Sequence, residues 1–416
     1  MARVIVVGGG ASGMMAAVFA ADAGASVTLL EHNEKLGKKV YITGKGRCNF
    51  TNDCDRDTFL TQVARNPRFL YSALDFFSPQ DMMRLLENAG CPVTVQRGRR
   101  AFPASEKASD VTRALTALLR QRRVEVRLNT EVKDLLLRDG RVAGVRLADG
   151  AELPAGAVVL ATGGLSYPST GSTGDGWRLA ASAGHTLADP EPVLVGLAAK
   201  ETWPAKLQGI SLKNVSLSLT VSGIIRWQEL GEMLFTHFGV SGPLVLEVSC
   251  HLPADLSTTE LLIDLKPGLT PEQLDARLRR DFLAAGRRQL VHVLPGLLPA
   301  RMAELFPSLC SVPAALPCSQ VTGSQREVLV HALKALPLHI AAPRPLEEAV
   351  VTRGGVSVRE LQPGTMASRL CSGLFFAGEL IDVDAHTGGY NLQIAWSTGA
   401  LAGAHAAAHA LEIHPD

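Results

Sequence analysis

Aromatic residues, net charge and long apolar runs are all scarce in this sequence. Aromatic side chains make up 5% of the 416 residues, and 41 basic residues face 40 acidic ones, for a formal net charge of +1. This balance excludes a chain that attracts polyanions through its overall charge. No uninterrupted apolar run reaches the roughly 18 residues of a membrane-spanning helix, which predicts that the protein does not cross a membrane.

Paired cysteines are also missing. The seven cysteines are scattered along the chain without a CxxC motif, which predicts reduced thiols and a cytoplasmic protein. The apolar N-terminal stretch from Ala2 to Leu30 resembles a signal peptide at first sight. Its glycines and its strand-turn-helix-strand pattern argue against one, and no basic segment precedes a small-residue cleavage site.

Glycine, in contrast, is abundant. The chain contains 39 glycines and is 46% hydrophobic, a composition that excludes both a disordered chain and, without a three-residue period, collagen. Residues 1–46, 163–176 and 354–399 form about a quarter of the chain and hold 21 of the 39 glycines. Because glycine costs backbone entropy, we interpret these clusters as places where the backbone contacts one extended ligand.

The N-terminus contains a dinucleotide-binding pattern. A β-branched strand, Arg3 to Val7, is followed by the G-x-G-x-x-G motif Gly8–Gly13, a helix from about Ser12 to Ala23 and a second strand, Ser26 to Leu30. Glu31 then follows, where an acid binds an adenosine ribose and disfavours a 2′-phosphate. The ligand is therefore predicted to be FAD or NAD. The alternative is a glycine-rich loop that serves only as a tight turn.

Each part of this motif has a predicted role. Gly8 permits the tight turn, Gly10 lets the backbone approach a pyrophosphate, and Gly13 lets the helix pack against the strand. The backbone N–H groups near Ala11 and Ser12, at the start of the helix, are expected to bind the phosphates.

Later segments favour FAD over NAD. A hairpin around Asp139 and Gly140 precedes a strand, Ala157 to Ala161, that continues into Thr162 and Gly163. The strand Leu374–Phe376 likewise leads into glycine and an acid. Residues 386–391 open a long alanine-rich helix running to about Leu411, whose N-terminus is placed to stabilise negative charge on a reduced flavin. Three separated segments returning to one cofactor are typical of FAD.

Five sequence blocks carry a family resemblance. They are Gly44–Asn52 (GKGRCNFTN), Ala161–Pro168, Met233–Pro243, Thr352–Val356 and Gly378–Gln393. Together they resemble the BaiN/RdsA (YhiN-like) flavoproteins, in the right order and over nearly the whole chain. Lys45 departs from the pattern, since many members have a glycine there.

The resemblance implies an α/β fold. A Rossmann-like FAD-binding domain, of the two-dinucleotide-binding-domain flavoprotein type, would be interrupted by a small β-barrel with a helical excursion. The FAD-binding domain is expected at 1–192 and 342–416, and the insert at 193–341 with its helical part at about 267–335. Three patterns agree with such an insert: apolar and polar residues alternate over Leu212–Val221, a strand-like run lies at Leu261–Leu265, and an amphipathic helix is predicted over Pro271–Arg288.

The resemblance also implies an activity. We expect NADH or NADPH to reduce the FAD, which then reduces an activated C=C bond, with a uridine of 23S ribosomal RNA favoured as substrate. Without a second G-x-G-x-x-G motif, the nicotinamide donor is expected to bind transiently. Alternatives are a small-molecule enone reductase, an amine oxidase, and a non-catalytic, FAD-stabilised RNA-binding or assembly protein.

The catalytic candidates are Cys48, Arg47 and Tyr390. We expect Arg47 to lower the pKa of the neighbouring thiol, although Cys48 as a buried packing residue is an equal alternative. His386 and His237 are rival acids, and His237 is more readily interpreted as a histidine at a strand end. Arg47 would otherwise bind flavin or substrate carbonyl oxygens, or form a salt bridge with Asp53 or Asp55.

The predicted cofactor site draws on every one of these segments. Asn49, Asn52 and Asn391 are candidates for the flavin edge, or merely cap turns. The full set is Gly8, Gly10, Ala11, Ser12, Gly13, Glu31, Lys39, Gly44, Gly46, Arg47, Asn49, Val132, Thr162, Gly163, Gly378, Glu379, Asp382, Gly389, Tyr390 and Asn391.

Neither a metal nor a redox-active disulfide is predicted. His405 and His409 have i, i+4 spacing, but they lie in an alanine-rich helix and are interpreted as a solvated face. Cys48 and Cys54 have the wrong spacing for a disulfide reductase.

Two basic segments favour RNA modestly. Between 90 and 128, nine basic residues face three acids; the basic residues are Arg97, Arg99, Arg100, Lys107, Arg113, Arg120, Arg122, Arg123 and Arg127. A second cluster lies on the insert helix: Arg277, Arg279, Arg280, Arg287 and Arg288. A solvated helix face is the alternative for both.

Overall fold

The structure, a computed structural model, describes residues 3–413. Met1, Ala2 and residues 414–416, which belong to the first and last predicted segments, lie outside the described residues. The strands are β1 (Arg3–Val7), β2 (Ser26–Leu30), β3 (Thr51–Asn52), β4 (Val63–Arg65), β5 (Val93–Gln96), β6 (Arg100–Pro103), β7 (Glu125–Arg127), β8 (Val132–Arg138), β9 (Arg141–Leu147), β10 (Glu152–Pro154), β11 (Ala157–Leu160), β12 (Leu187–Val193), β13 (Leu197–Ala199), β14 (Ser211–Val221), β15 (Ile224–Phe235), β16 (Gly239–Ser241), β17 (Thr259–Asp264), β18 (Leu336–Pro343), β19 (Val351–Val356), β20 (Leu374–Phe376) and β21 (Asp384–Ala385).

The helices are α1 (Ala11–Asp22), α2 (Lys38–Ile42), α3 (Arg56–Thr61), α4 (Tyr71–Phe76), α5 (Pro79–Asn88), α6 (Ala108–Gln121), α7 (Asp175–Ser182), α8 (Trp203–Lys206), α9 (Pro243–Ser249), α10 (Pro271–Ala285), α11 (Ala300–Leu309), α12 (Gly323–Lys334) and α13 (Tyr390–Ile413). Within residues 3–413, no helix combines the length and apolar character needed to cross a bilayer. The chain forms two units: residues up to Val193 with those from Pro345 onward, and Leu194–Arg344.

A five-stranded parallel sheet is the centre of the first unit. Its strand order is β20-β11-β1-β2-β7, and β1 pairs in parallel with both β2 and β11. Val4, Ile5 and Val6 are fully buried, as expected for the central strand of a sheet covered on both faces. Helix α1 begins one residue earlier than predicted, at Ala11, directly after the glycine-rich loop.

Three antiparallel strands lie between β7 and β11 in the chain. The predicted hairpin is present as β8 and β9, which pair from Val132↔Leu147 to Arg138↔Arg141. Its turn residues Asp139 and Gly140 have φ values of 50° and 75°, the left-handed conformation that a tight hairpin turn requires. Strand β10 adds to β9 and completes a three-stranded sheet.

Part of the glycine excess has a different cause from the one predicted. A Cβ at Gly399 would lie 2.3 Å from the carbonyl oxygen of Ser12, and one at Gly403 would lie 2.1 Å from that of Ala16. These two glycines, one turn apart, let α13 pack directly on the backbone of α1. The interpretation of the glycine clusters as ligand contacts is therefore wrong for Gly399, which makes a helix-helix contact.

The second unit contains a closed barrel and a group of helices. The barrel order is β13-β16-β15-β14-β17-β18, and helices α10, α11 and α12 lie between β17 and β18 in the chain. Leu274, Leu278 and Phe282 are buried on one side of α10, as their helical spacing predicts. The helix ends three residues earlier than predicted because Gly286 adopts a φ of 57° after Ala285. The predicted fold class, a Rossmann-like domain interrupted by a small barrel with a helical excursion, is confirmed.

A buried histidine in the first unit forms hydrogen bonds with a serine and a glutamate. His185 Nε2 lies 2.7 Å from Ser368 Oγ, and its Nδ1 lies 3.2 Å from Glu360 Oε2. This is the order of groups in a hydrolase triad, but the His185 side chain is 0% exposed, so it is inaccessible to a substrate. Burial lowers the pKa of His185, and Glu360 opposes this only in part. Burial would raise the pKa of Glu360, but hydrogen bonds from Thr186 and His185 lower it overall.

We expect the melting temperature to fall as the pH drops from 7.5 to 5.5. The unfolded chain takes up a proton on His185 near pH 6.5 while the folded chain does not, so acidification favours unfolding. The His185→Asn variant should have a lower melting temperature at pH 7.5, but its melting temperature should fall less when the pH drops to 5.5. Circular dichroism melts at both pH values measure this. The matched variant His237→Asn, at an exposed position, should keep the pH dependence of the unchanged protein. Equal pH slopes for the His185 variant and the unchanged protein would contradict the prediction.

Candidate functional site

The glycine-rich loop leaves an opening at the start of α1. Gly8 has a φ of 102°, and a Cβ there would lie 2.5 Å from the Ala161 carbonyl oxygen; a Cβ at Gly13 would lie 1.7 Å from the Gly8 carbonyl oxygen. At Gly10, in contrast, a Cβ would meet nothing within 4 Å. Among the described residues, no side chain forms a capping hydrogen bond at the start of α1. The loop thus presents an open helix N-terminus, with Ala11 and Ser12 in its first turn, and this is the arrangement that binds phosphate groups.

Glu31 lies at the end of β2, beside this loop. Its Oε2 accepts a 2.6 Å hydrogen bond from the Gly9 amide, and its Oε1 accepts from the backbone and side-chain nitrogens of Asn33, both at 2.8 Å. The Thr130 amide donates to the Glu31 carbonyl oxygen at 2.9 Å, and β8 begins two residues later, at the predicted cofactor residue Val132. These bonds hold the Glu31 carboxylate beside the loop.

Two predicted cofactor residues, Lys39 and Glu379, bind each other. Lys39 Nζ lies 2.7 Å from Glu379 Oε2 and 2.7 Å from Ser166 Oγ. Glu379 Oε1 accepts hydrogen bonds from the Thr352 amide at 2.8 Å and from Ser166 Oγ at 3.0 Å. Sequence reasoning missed Ser166 and Thr352, although both lie in blocks that carry the resemblance. The cluster ties three distant chain segments together.

Gly378 brings the C-terminal block to the glycine-rich loop. Its φ is 73°, and a Cβ there would lie 2.5 Å from Ser12 Oγ. Its amide donates to Thr398 Oγ1 at 2.9 Å. On the other segment, Gly163 has a φ of 79° and a Cβ there would lie 3.0 Å from Ser172 Oγ. The Cα of Thr162, the residue before Gly163, would lie 3.0 Å from a Cβ at Gly8, so both segments predicted to return to the cofactor approach the glycine-rich loop or the start of α1.

The two most distinctive blocks are joined by hydrogen bonds. Thr51 Oγ1 donates to Gln393 Oε1 at 2.7 Å, and Trp396 Nε1 donates to the Phe50 carbonyl oxygen at 2.8 Å. Asn52 Nδ2 donates to the Gly388 carbonyl oxygen at 3.2 Å. The GKGRCNFTN segment and the first turns of α13 therefore form one wall of the site.

Cys48 belongs to the GKGRCNFTN segment, and its side chain is buried behind the surface of the site. The residue is fully buried, and burial raises the pKa of its thiol to about 12, although a hydrogen bond with Thr43 opposes the shift. The expectation that Arg47 would lower the pKa of this thiol is wrong, because the Arg47 guanidinium is engaged elsewhere. All seven cysteines are buried free thiols, and burial also raises the pKa of Cys54, to about 11.

The Arg47 guanidinium lies between a glutamine, a glutamate and a ring. Its Nη2 donates to Gln96 Oε1 at 2.7 Å and also contacts Glu106 Oε1, while its Cζ lies 4.4 Å from the centre of the Phe102 ring. The predicted alternative, a salt bridge with Asp53 or Asp55, is corrected: the ion-pair partner is Glu106. The acid is 59 residues away in sequence, and the two segments are brought together where β3, which follows Arg47, pairs with β6, which precedes Glu106.

The asparagines of the site differ in their bonding. Asn391 Nδ2 donates to the Ala385 carbonyl oxygen at 2.6 Å, and its Oδ1 accepts from the Ala385 amide at 3.0 Å, so this side chain fixes the loop before α13. Asn49 Oδ1 is buried and accepts no hydrogen bond from residues 3–413. It would lie 2.9 Å from a Cβ at Gly389, next to Tyr390. Its oxygen is thus an open acceptor at the start of α13.

The remaining predicted residues occupy varied positions. The Asp382 carboxylate is paired with Arg65, whose Nε lies 2.8 Å from Oδ1. Gly44 and Gly46 lie in an exposed turn with φ values of 57° and 84°. Thr162 Oγ1 is buried and has no partner within residues 3–413.

Three histidines outside the site remain to be placed. His237 follows the end of β15 in the second unit and is exposed. His405 and His409 are half-buried, and burial lowers the pKa of each. The expectation that this pair forms a solvated face is therefore wrong.

The residues present fit a dinucleotide with a flavin. The opening at Gly10 is free for a group that a Cβ would exclude, and the buried oxygens of Asn49 and Thr162 lack partners among the described residues. A buried polar atom without a hydrogen bond is costly, so such atoms commonly mark ligand contacts. An anion site on a Rossmann-like sheet, approached by two further chain segments, is the FAD arrangement. The protein is an FAD-dependent oxidoreductase.

The chain belongs to the family described as HI0933-like protein Rossmann domain, whose model matches residues 2–405. It is 34% identical over 413 residues to the 3-dehydro-bile acid delta(4,6)-reductase of Clostridium scindens, covering 98% of this chain and 99% of that protein. It is 30% identical over 397 residues to the ribosomal RNA dihydrouridine synthase of Escherichia coli, covering 95% of each. A flavocytochrome c3 fumarate reductase has the same fold, with a TM-score of 0.55 and 17% identity over 99% of this chain and 78% of that one.

Proposed function

We propose that this protein uses NADH or NADPH to reduce its FAD and then reduces the C5=C6 bond of a uridine in 23S ribosomal RNA. Bound FAD supplies the hydride chemistry. The observation that carries the flavin part of the proposal is the unpartnered Asn49 oxygen, which lies beside Gly389 at the start of α13. A buried acceptor there suits an N–H group of the flavin edge.

The chain's own groups suggest how a conjugated double bond would be reduced. Hydride addition to the β-carbon leaves charge on the carbonyl oxygen, and the α-carbon then needs a proton from a positioned acid. Tyr390 carries a hydroxyl at the first residue of α13 and is 8% exposed. We propose Tyr390 as this acid. We assign Cys48 a packing role, because its thiol is fully buried and its pKa is raised to about 12.

The substrate assignment is supported by the relatives. Proteins named ribosomal RNA dihydrouridine synthase match 95% of the chain at 29% and 30% identity. This substrate would place the protein with the ribosomes in the cytoplasm. The second candidate is reduction of a small-molecule enone, favoured by the 34% identity to a bile acid reductase.

Two measurements test the proposed function. Anaerobic titration of the holoprotein with NADH or NADPH should bleach the flavin absorbance, and a flavin that stays oxidised with both donors would favour a non-catalytic RNA-binding protein. Mass spectrometry of 23S rRNA should show that dihydrouridine is lost when the gene is deleted and returns when it is restored. An unchanged dihydrouridine content would contradict the RNA substrate, and turnover of a steroid enone would then support the second candidate.

A further inference from the structure

The structure divides the predicted basic segments into paired and unpaired residues. In the first segment, Arg113, Arg122 and Arg127 form ion pairs with Asp110, Asp22 and Glu125. In the second cluster, the three arginines that lie on α10 are also paired, with Asp275 or Asp281. A solvent-exposed surface with salt bridges explains these arginines without a bound ligand.

Three of the four residues from 97 to 100 are arginines that differ from these. Arg97, Arg99 and Arg100 are exposed, and no acidic side chain within residues 3–413 forms an ion pair with any of them. They occupy the turn between β5 and β6 and the first residue of β6, which together we call the arginine turn (residues 97–100). Like charges this close repel each other, so their concentration in one turn favours an anionic ligand.

The backbone of the arginine turn is unusual for such residues. Gly98 and Arg99 have φ values of 76° and 57°, so two successive residues adopt the left-handed conformation. Glycine or asparagine is favoured at such a position, and an arginine with this φ is strained. Asparagine adopts this φ at a lower cost than arginine.

The arginine turn is bonded to the candidate site on both sides. Asn52 Nδ2 donates to the Gly98 carbonyl oxygen at 3.0 Å and to the Gly388 carbonyl oxygen at 3.2 Å. Gln96, directly before the turn, accepts from Arg47 at 2.7 Å. A single carboxamide therefore joins the arginine turn to the loop that precedes Tyr390.

We propose that Arg97, Arg99 and Arg100 bind the phosphodiester backbone of the RNA strand whose uridine enters the site. This inference rests on the proposed function, since it takes the reacting base to lie near Tyr390. Phosphate groups follow one another along an RNA strand and suit several guanidinium groups held close together. A small acid with one carboxylate would occupy a single bidentate arginine.

The test combines three substitutions, Arg97→Gln, Arg99→Asn and Arg100→Gln. Asparagine suits the φ of 57° at residue 99, so the variant should fold at least as well as the unchanged holoprotein. Its affinity for in vitro transcribed 23S rRNA at 100 mM NaCl should fall at least about tenfold. The negative slope of log K against log salt should become shallower by about 2, since each phosphate contact on a single strand contributes about 0.7 to its magnitude. Bleaching of the flavin by NADH should be unchanged.

A matched variant removes the same charge from other exposed positions of the first unit, through Arg84→Gln, Arg113→Gln and Arg138→Gln. Its affinity for the transcript should stay within about twofold and its salt slope should be nearly unchanged. An equal loss in both variants, or an unchanged slope in the arginine-turn variant, would overturn the inference. If the unchanged holoprotein itself does not bind the transcript, the proposed RNA substrate fails, which is a different result from failure of the arginine turn alone.

Discussion

Gly10→Ala is expected to weaken FAD binding about 100-fold while leaving the fold intact. A Cβ at this position meets no protein atom within 4 Å, and the φ of −78° suits any residue. The added methyl group would occupy the space through which a pyrophosphate reaches the start of α1. Loss of one or two charge-assisted hydrogen bonds, at about 1.5–3 kcal/mol each, corresponds to roughly this change in affinity. Isothermal titration of the apoprotein with FAD measures it.

Gly13→Ala is the matched change with the opposite expected result. Here the methyl group would lie 1.7 Å from the Gly8 carbonyl oxygen, an overlap with backbone that only a shift of α1 away from β1 can relieve. We expect the melting temperature of the apoprotein to fall by roughly 10 °C, since overpacking of this kind costs about 3 kcal/mol or more. The Gly10 variant should melt within a few degrees of the unchanged apoprotein. A Gly10 variant that binds FAD normally would show that the phosphates do not lie at the start of α1.

The parts of the fold that follow from local sequence were predictable. The loop Gly8–Gly13 and the hairpin turn at Asp139–Gly140 depend on the backbone freedom of residues close together in the chain, so their pattern is visible without a structure. The helix α10 was recognisable from the spacing of Leu274, Leu278 and Phe282. Only its end was misplaced, because Gly286 was not identified as the point where the helix stops.

Contacts between distant segments were not predictable from the same patterns. Lys39 and Glu379 are 340 residues apart, and no sequence pattern indicated that these two predicted cofactor residues form an ion pair with each other. Gly399 was assigned to the cofactor by its position in a glycine-rich stretch, yet it permits the contact between α13 and α1. Residue type shows that a backbone or a charge needs a close neighbour; the identity of that neighbour depends on the tertiary structure.

The same limit applies to Arg47 and Cys48. Adjacency in sequence led to the expectation that the guanidinium would lower the pKa of the thiol. In the structure the Cys48 side chain is buried while the Arg47 guanidinium contacts Gln96 and Glu106. Two neighbouring residues in an irregular loop, where Cys48 itself has a φ of 57°, need not share an environment. Without a guanidinium to lower its pKa, the buried Cys48 thiol is a poor candidate for the acid, and experiments can distinguish it from Tyr390.

Tyr390→Phe should slow reduction of the substrate about 100- to 10,000-fold, the usual contribution of a positioned acid. Bleaching of the flavin by NADH should proceed at the normal rate, because that half-reaction needs no proton from this hydroxyl. The ring contact with Phe59, at 5.1 Å between centroids, is kept by phenylalanine, so the fold should be preserved. Stopped-flow absorbance measures the two half-reactions separately.

Cys48→Ala is the comparison that distinguishes the two assignments. Removing a buried thiol should lower the free energy of unfolding by about 1–2 kcal/mol through lost packing. Once FAD is bound, the variant should reduce substrate at a rate within about twofold of the unchanged enzyme, since the Cys48 thiol is fully buried and protonated at neutral pH. If the Cys48 variant instead lost the rate while the Tyr390 variant kept it, the proton would have to come from the buried thiol. A pKa near 12 would then have to fall when substrate binds, and the pH dependence of the substrate half-reaction would reveal that shift.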